Sequence, residues 1–249
     1  MAYQALTRLY VEAPLSAGAE IALDDQQAHY LQHVLRLAPG AEIALFNGSD
    51  GEWAARIEAF GRKGGSARLL SQRRAPRPEP DLWLLFAPLK RARIDYLVEK
   101  ATELGVSAIW PVYTARTVVE RLNLDRLRAH AREAAEQTER LHLPEIHPAE
   151  DLAKLLARWA PDRPLLVCDE SGAAPPIAAA LGARAPGPWA VLVGPEGGFT
   201  DMELDGLRNL PFVCAVGLGP RVLRADTAAI AALALLQAHL GDWRAGRGA

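Results

Sequence analysis

Cysteine is almost missing from this 249-residue chain, and the two that occur, Cys168 and Cys214, stand far apart. Each lies in an apolar run, LLVCD and PFVCAVG, and reads as a small buried hydrophobe. Two cysteines make no disulfide framework. No uninterrupted apolar stretch is long enough to span a bilayer. The nearest, 225–240, opens with Asp226 and Thr227 and carries Gln237 and His239. The N-terminal MAYQALTRLYVE lacks the basic-then-apolar pattern of a signal peptide. A cytoplasmic protein without a membrane partner is expected. Net charge is only −2, so the whole chain does not announce a nucleic-acid partner. The sequence also lacks a G-x-S-x-G elbow, a Walker lysine loop and a C-x-x-C pair. Gly217-Leu218-Gly219 runs into Pro220, Arg221 and Val222, which breaks the dinucleotide fingerprint and disfavours a nicotinamide enzyme. His29 and His33 have the i, i+4 spacing of metal ligands. No third ligand joins them, so no metal is expected.

What is present is an ordinary globular balance, 50% hydrophobic and 23% charged. The charge is unevenly placed. Residues 1–55 hold two arginines against seven acids, whereas residues 56–93 hold ten basic residues against three acids. Such a local excess attracts phosphate, and it also fits a solvated linker and strand faces.

Residues 8–72 predict a small, mostly β domain. Its strand-like runs are RLYVE, EIALFN, EWAARIEAF and SARLLSQ, punctuated by Asn47-Gly48, Asp50-Gly51 and Gly64-Gly65. One helix is expected near Asp25–Leu35. The stretch 73–81, RRAPRPEPD, carries three alternating prolines and predicts an extended connector. The domains are therefore expected at 1–72 and 82–249. After the connector the pattern becomes α/β. LWLLFAPL, SAIWPVYT, LLVCD, WAVLVG and FVCAVGLG read as strands, most of them buried and parallel. Between them, helical patterns fall near 94–104, 124–139, 149–158 and 201–209. The last helix, about 226–240, is apolar nearly all round and demands burial. Alternating strands and helices imply a mainly parallel sheet.

Two segments carry chemistry. Val191–Glu203 reads VLVGPEGGFTDME: a buried strand, a glycine turn, then a helix opened by Thr200 and Glu203 at capping-box spacing. Ala215–Ala228 reads AVGLGPRVLRADTA: again a strand ending in glycines, now with Arg221 and Arg224 before a helix. Glycine-rich strand ends admit close approach of a ligand to backbone, and arginine offers a fork for anions. Taken singly, each also fits a structural strand-to-helix turn.

The pair GPEGGF-T-x-x-E and LGPRVLR-x-D-T-A resembles the RsmE family of SPOUT-class RNA methyltransferases, which methylate N3 of a uridine in 16S rRNA. APLKRARIDYLVEKATELGVSAIWPVYTARTVV, AAEQTERLHLPEI, RLYVE and HYLQHVLRLAPGAEIALFNGSDGEW extend the likeness over nearly the whole chain. The resemblance implies a PUA-like β-barrel RNA-binding domain, then a parallel-sheet domain with a trefoil knot. It also implies a homodimer, S-adenosylmethionine as cofactor, and 16S rRNA, in the assembled small ribosomal subunit, as partner. Carried over, the cofactor pocket takes Leu192, Val193, Gly194, Glu196, Gly197, Gly198, Gly217, Leu218, Gly219, Val222, Leu223, Arg224 and Thr227. Arg224 is expected to stabilise the uridine anion and Glu196 to accept its proton or position the base. RNA contacts are expected from Arg8, Arg36, Arg73, Arg74, Lys90 and Arg140. The chain departs from the family pattern at Arg91, where lysine is common, at Thr138-Glu139, where Ser-Gly is usual, and at Asp226, where glutamate is common. Two other readings stay open: a related methyltransferase acting at another RNA position, and a non-catalytic RNA-binding or ribosome-assembly protein.

Overall fold

The computed structural model describes residues 7–119, 121–182 and 184–244, with nothing said of the Arg91 side chain. The start of the segment read above for a signal pattern lies outside these residues. The chain divides into two compact units. One comprises Met1–Pro78 with Ala135–His142, the other Glu79–Ala134 with Leu143–Ala249. The expected division at 73–81 thus has a second part: residues 135–142 return to the first unit.

The first unit contains β1 (Arg8–Tyr10), β2 (Glu20–Leu23), α1 (Asp25–His29), β3 (Glu42–Asn47), β4 (Gly51–Gly61) and β5 (Gly64–Arg74). Its sheet runs β1-β3-β4-β5-β2, with β1 parallel to β3 and the other pairs antiparallel. β2 is a strand that the sequence reading passed over. Its four residues alternate exposed and buried, with Ile21 and Leu23 inside, the half-buried period of two in its shortest form. Register shifts along β4 and β5 bend both strands. The expected helix at 25–35 is α1 continued by a π-helical turn, Tyr30–Val34. Asp24 opens it with a full capping box: its side chain accepts from Gln27 N, and the Gln27 side chain accepts from Asp24 N. It closes on Arg36, whose φ of 57° is left-handed.

Glu52 organises this unit's polar interior. It is only 2% exposed, and its carboxylate accepts from Arg8 Nε at 2.6 Å and Arg74 Nη2 at 2.6 Å, with Arg73 Nε at 3.7 Å. Arg8 then donates to the carbonyls of Ala135 (2.8 Å), Glu136 (2.9 Å) and Arg140 (2.8 Å). These carbonyls end the helix α3 (Leu124–Gln137) and the turn after it. A cation there completes orphan acceptors and meets the negative end of the helix dipole. Burial pushes the Glu52 carboxyl up, but its bonds to Arg8 and Arg74 outweigh that and hold it below the usual glutamate value. Arg8, Arg73 and Arg74, expected to face RNA, therefore converge on one buried carboxylate. Arg140, expected beside them, is buried too.

The second unit holds β6 (Leu82–Phe86), α2 (Arg91–Glu103), β7 (Ala108–Tyr113), most of α3, β8 (Glu145–Ile146), β9 (Glu150–Asp151), α4 (Leu152–Leu156), β10 (Leu165–Cys168), α5 (Ile177–Leu181), β11 (Trp189–Val193), α6 (Asp201–Arg208), β12 (Val213–Val216) and α7 (Ala225–Leu240). Its sheet is parallel throughout, in the order β12-β10-β11-β6-β7-β8, with β9 pairing β7. Side chains alternate between two cores. Leu84, Phe86, Leu166, Cys168, Val191 and Val193 face the core formed with α2, α3, α5 and α7. Leu85, Leu165, Val167, Ala190 and Leu192 face the core formed with α4 and α6. Burial on both faces explains why these strands read as continuous apolar runs. α7 packs against α2, α5, β10 and β11.

Exchanging Glu52 for Gln should leave Arg8 buried without its counter-charge. The expected loss is about 3 kcal/mol at neutral pH, read by urea unfolding. Because Glu52's folded value is depressed, its contribution is present above the ordinary value of 4.5 and is lost as pH falls through that region and below. Wild type should therefore lose stability over that range more steeply than Glu52→Gln.

Candidate active site

β10, β11 and β12 are neighbours, run parallel and end together; Cys168 pairs with Val216, and Val167 with Leu192. The three loops leaving them open onto one cavity of about 800 Å³ in the second unit. Each loop contributes a glycine with left-handed backbone: Gly172 (φ 81°), Gly198 (φ 68°) and Gly219 (φ 102°). Only glycine takes this conformation at no steric cost. Val193, Leu218, Leu223 and Ala228 supply apolar wall. Lys90 and Arg93, before and in the first turn of α2, and Arg221 and Arg224, before α7, supply positive charge.

The loops hold one another. Glu170 Oε1 accepts from Phe199 N at 3.1 Å, tying the turn after β10 to the turn after β11. A Cβ at Gly198 would collide with that same carboxylate oxygen, and one at Gly194 would strike the Phe199 ring. Gly217 N donates to Pro175 O at 2.8 Å, and Ile177 N to Gly217 O at 3.1 Å, which ties the turn after β12 to the entrance of α5. Asp169 is buried and accepts from Arg208 Nη2 at 2.5 Å and Ser171 N at 2.9 Å. Burial pushes its carboxyl up, but the bonds from Ser171 and Arg208 prevail and hold it below the usual range. Thr200 and Glu203 form the expected capping box of α6. On the cavity's wall, burial and the charge of Glu170 push the Cys168 thiol up to about 12. It is no thiolate nucleophile at neutral pH.

Of the residues expected here, Val193, Gly194, Glu196, Gly198, Gly217, Leu218, Gly219, Val222, Leu223 and Arg224 do line the cavity. Leu192 does not. It alternates to the opposite face of β11 and is fully buried in the α4–α6 core, as a period of two dictates. Gly197 is off the wall, its carbonyl accepting from Arg116. Thr227 is exposed and likewise off the wall, while Ala225 and Ala228 on the same helix line it. Glu196 is ion-paired: its Oε1 lies 3.1 Å from Arg93 Nη1. Sequence reasoning missed Arg93 and the whole turn after β10, from Asp169 to Ala174. The available signal was the apolar run LLVC stopping at Asp169-Glu170-Ser171-Gly172, which has the same strand-then-glycine form as the other two loops. Among the described residues no cluster of His, Cys, Asp and Glu could hold a metal ion, and no helix is long and apolar enough to cross a membrane.

The family pattern of an RNA methyltransferase domain matches residues 76–237, and that of an RNA methyltransferase PUA domain matches residues 23–70. The ribosomal RNA small subunit methyltransferase E of Rickettsia conorii is 34% identical over 236 residues, covering 93% of this chain and 96% of its own. The protein of that name from Synechocystis is 34% identical over 94% of this chain and 78% of its own. The chain belongs to the ribosomal RNA small subunit methyltransferase E family. A member from Neisseria gonorrhoeae, crystallised bound to S-adenosyl methionine, superposes with a TM-score of 0.86 at 29% identity and covers 96% of this chain and 99% of its own. In this methyltransferase family member the three glycine turns are the feature on which side-chain substitution should tell first.

Gly198→Ala forces a Cβ into left-handed backbone and onto Glu170. It should destabilise the chain by about 1–3 kcal/mol and lower its melting temperature. An unchanged melting temperature would show that the turn relaxes freely.

Proposed function

We propose that the cavity binds S-adenosylmethionine and that the chain transfers its methyl group to N3 of one uridine in 16S rRNA of the small ribosomal subunit. The observation that carries the reading is the convergence of three left-handed glycine turns and four cationic side chains on one cavity, in a chain of this family. Its volume falls within the range of small-molecule sites. The apolar wall and the close backbone suit a nucleoside, and Gly194, Gly198, Gly217 and Gly219 would let the bound molecule lie against main chain. When bound, the cofactor supplies an electrophilic methyl group on a sulfonium.

The chain's own task is alignment and charge. Uracil N3 carries a proton at neutral pH, so the enzyme must favour the anion. Arg224 stands as the N-cap of α7, with no side chain capping that end of the helix. Its guanidinium and the positive end of a 16-residue helix act on the same region, which suits stabilisation of the developing uracil anion. Glu196, held by Arg93, positions the base or takes its proton. The target nucleotide must be unstacked to enter. Arg36 and Lys90, both exposed, are the RNA contacts retained from the expected set.

A homodimer belongs to the same proposal. Val222 is 84% exposed beside the cavity, and α7 keeps Ile230, Ala231, Ala234 and Leu235 only half-buried. A partner subunit would cover these apolar groups. The trefoil knot and the assembled subunit as substrate complete the proposal, and rRNA as substrate puts the enzyme in the cytoplasm.

Labelled S-adenosylmethionine and small subunits lacking the modification test it, followed by nucleoside mass spectrometry. N3-methyluridine at one site is expected. Another methylated nucleoside would move the target, and no product without cofactor binding would leave a non-catalytic protein. Arg224→Ala should lower kcat about 100-fold with cofactor affinity nearly unchanged. An unaltered kcat would remove Arg224 from the chemistry.

A further inference from the structure

The turn after β11 contains two consecutive glycines, Gly197 and Gly198. Such a sequence loses much conformational freedom when a ligand orders it. The structure shows what orders it beforehand. Arg116, in the loop after β7, directs Nη1 at two carbonyls of that turn, Gly197 O at 2.8 Å and Phe199 O at 3.0 Å. The neighbouring Ala115 N donates to Glu203 Oε1 at 2.8 Å, so the same loop also grips the first turn of α6. Arg116 is itself held in a compact turn: Thr114 N donates to Thr117 Oγ1 at 2.9 Å, and Thr117 N to Thr114 O at 3.1 Å. The positive charge of Arg116 further favours the Glu203 carboxylate, whose value is pushed up by burial but held low by the amides of Ala115 and Thr200.

We propose that Arg116 is a positioning residue for methyl transfer, fixing the Gly197–Phe199 backbone in the form that receives the cofactor. The inference rests on the cofactor reading of the cavity given above. Arg116 does not line the cavity wall; it acts through the peptide planes it holds. With both carbonyls satisfied from one side, the turn is ordered before ligand arrives, and binding does not have to order it. A single nitrogen makes both bonds. A lysine ammonium can therefore substitute for much of the function, whereas alanine cannot.

The test uses the full chain, with calorimetric binding of S-adenosylmethionine and amide hydrogen exchange without ligand. Arg116→Ala should bind the cofactor about tenfold more weakly, raise KM for it by a similar factor, and leave kcat at saturation close to wild type. Exchange at the amides of 198–200 should be faster, with the melting temperature close to wild type. Arg116→Lys should restore most of the affinity. Unchanged cofactor affinity in Arg116→Ala overturns the proposal, and so does weaker RNA binding with cofactor affinity intact, which would make Arg116 a phosphate contact. If wild type binds no cofactor, the cofactor reading itself fails. The exchange measurement still decides whether Arg116 orders the turn: unchanged protection in Arg116→Ala refutes that as well.

Discussion

Three parallel strands that stop at the same level set the constraint from which the site follows. β10, β11 and β12 are paired in register, so their C-terminal ends and the loops that leave them line up along one edge of the sheet. In an open parallel sheet such an edge is where ligands settle. The chain must turn sharply there three times, close to itself each time. Left-handed glycines at 172, 198 and 219 are the local solution. The cavity is the space these turns leave, and its backbone-rich wall is a consequence of their having no side chains.

Turns built from glycine would be floppy if each stood alone, and here each borrows its order from a neighbour. The turn after β11 is held by Glu170 from the β10 side and by Arg116 from the β7 side. The turn after β12 is held by a backbone bridge between Pro176 and Gly217. The turn after β10 is held by Arg208 gripping buried Asp169. Acidic anchors thus hold the loops together, and Asp169 and Glu170 share the cavity's wall with the cations Lys90, Arg93, Arg221 and Arg224. Each of these two acids is already bonded, Asp169 to Arg208 and Ser171 N and Glu170 to Phe199 N. Glu196, the carboxylate on the turn after β11, is likewise matched by Arg93, so an anionic ligand would meet positive charge and the N-terminus of α7.

Much of this was legible in the sequence because apolar runs and glycine turns are local signals. LWLLF, LLVC, WAVLV and VCAV became β6, β10, β11 and β12. The glycine loops after β11 and β12 pointed to the cavity before any geometry was known. What was not legible depends on facing and on long-range pairing. Leu192 and Val193 are equally apolar neighbours, and only the sheet's pairing shows that Val193 faces the cavity side and Leu192 the other core. Arg93 and Glu196 are about a hundred residues apart in the chain, and no local pattern announces their ion pair. β2 was too short to show a period. The departure at Glu139 has a structural answer: its φ of 60° is left-handed, the geometry for which the family's usual glycine is suited.

The basic excess of residues 56–93 shows why charge counted along a sequence overstates charge offered to RNA. Arg73 and Arg74 turn inward to Glu52 together with Arg8, and Arg68 is paired with Glu58. A guanidinium already matched by a buried carboxylate releases no counterion from a phosphate, because its field is neutralised within the protein. The salt dependence of RNA binding counts neutralised phosphates, so it measures only cations that face solvent. Arg36, on a left-handed residue just past the π-helical turn of the first unit, and Lys90, at the mouth of the cavity in the second, meet that condition. The internal arginines instead tie β1, β4 and β5 to the residues that end α3.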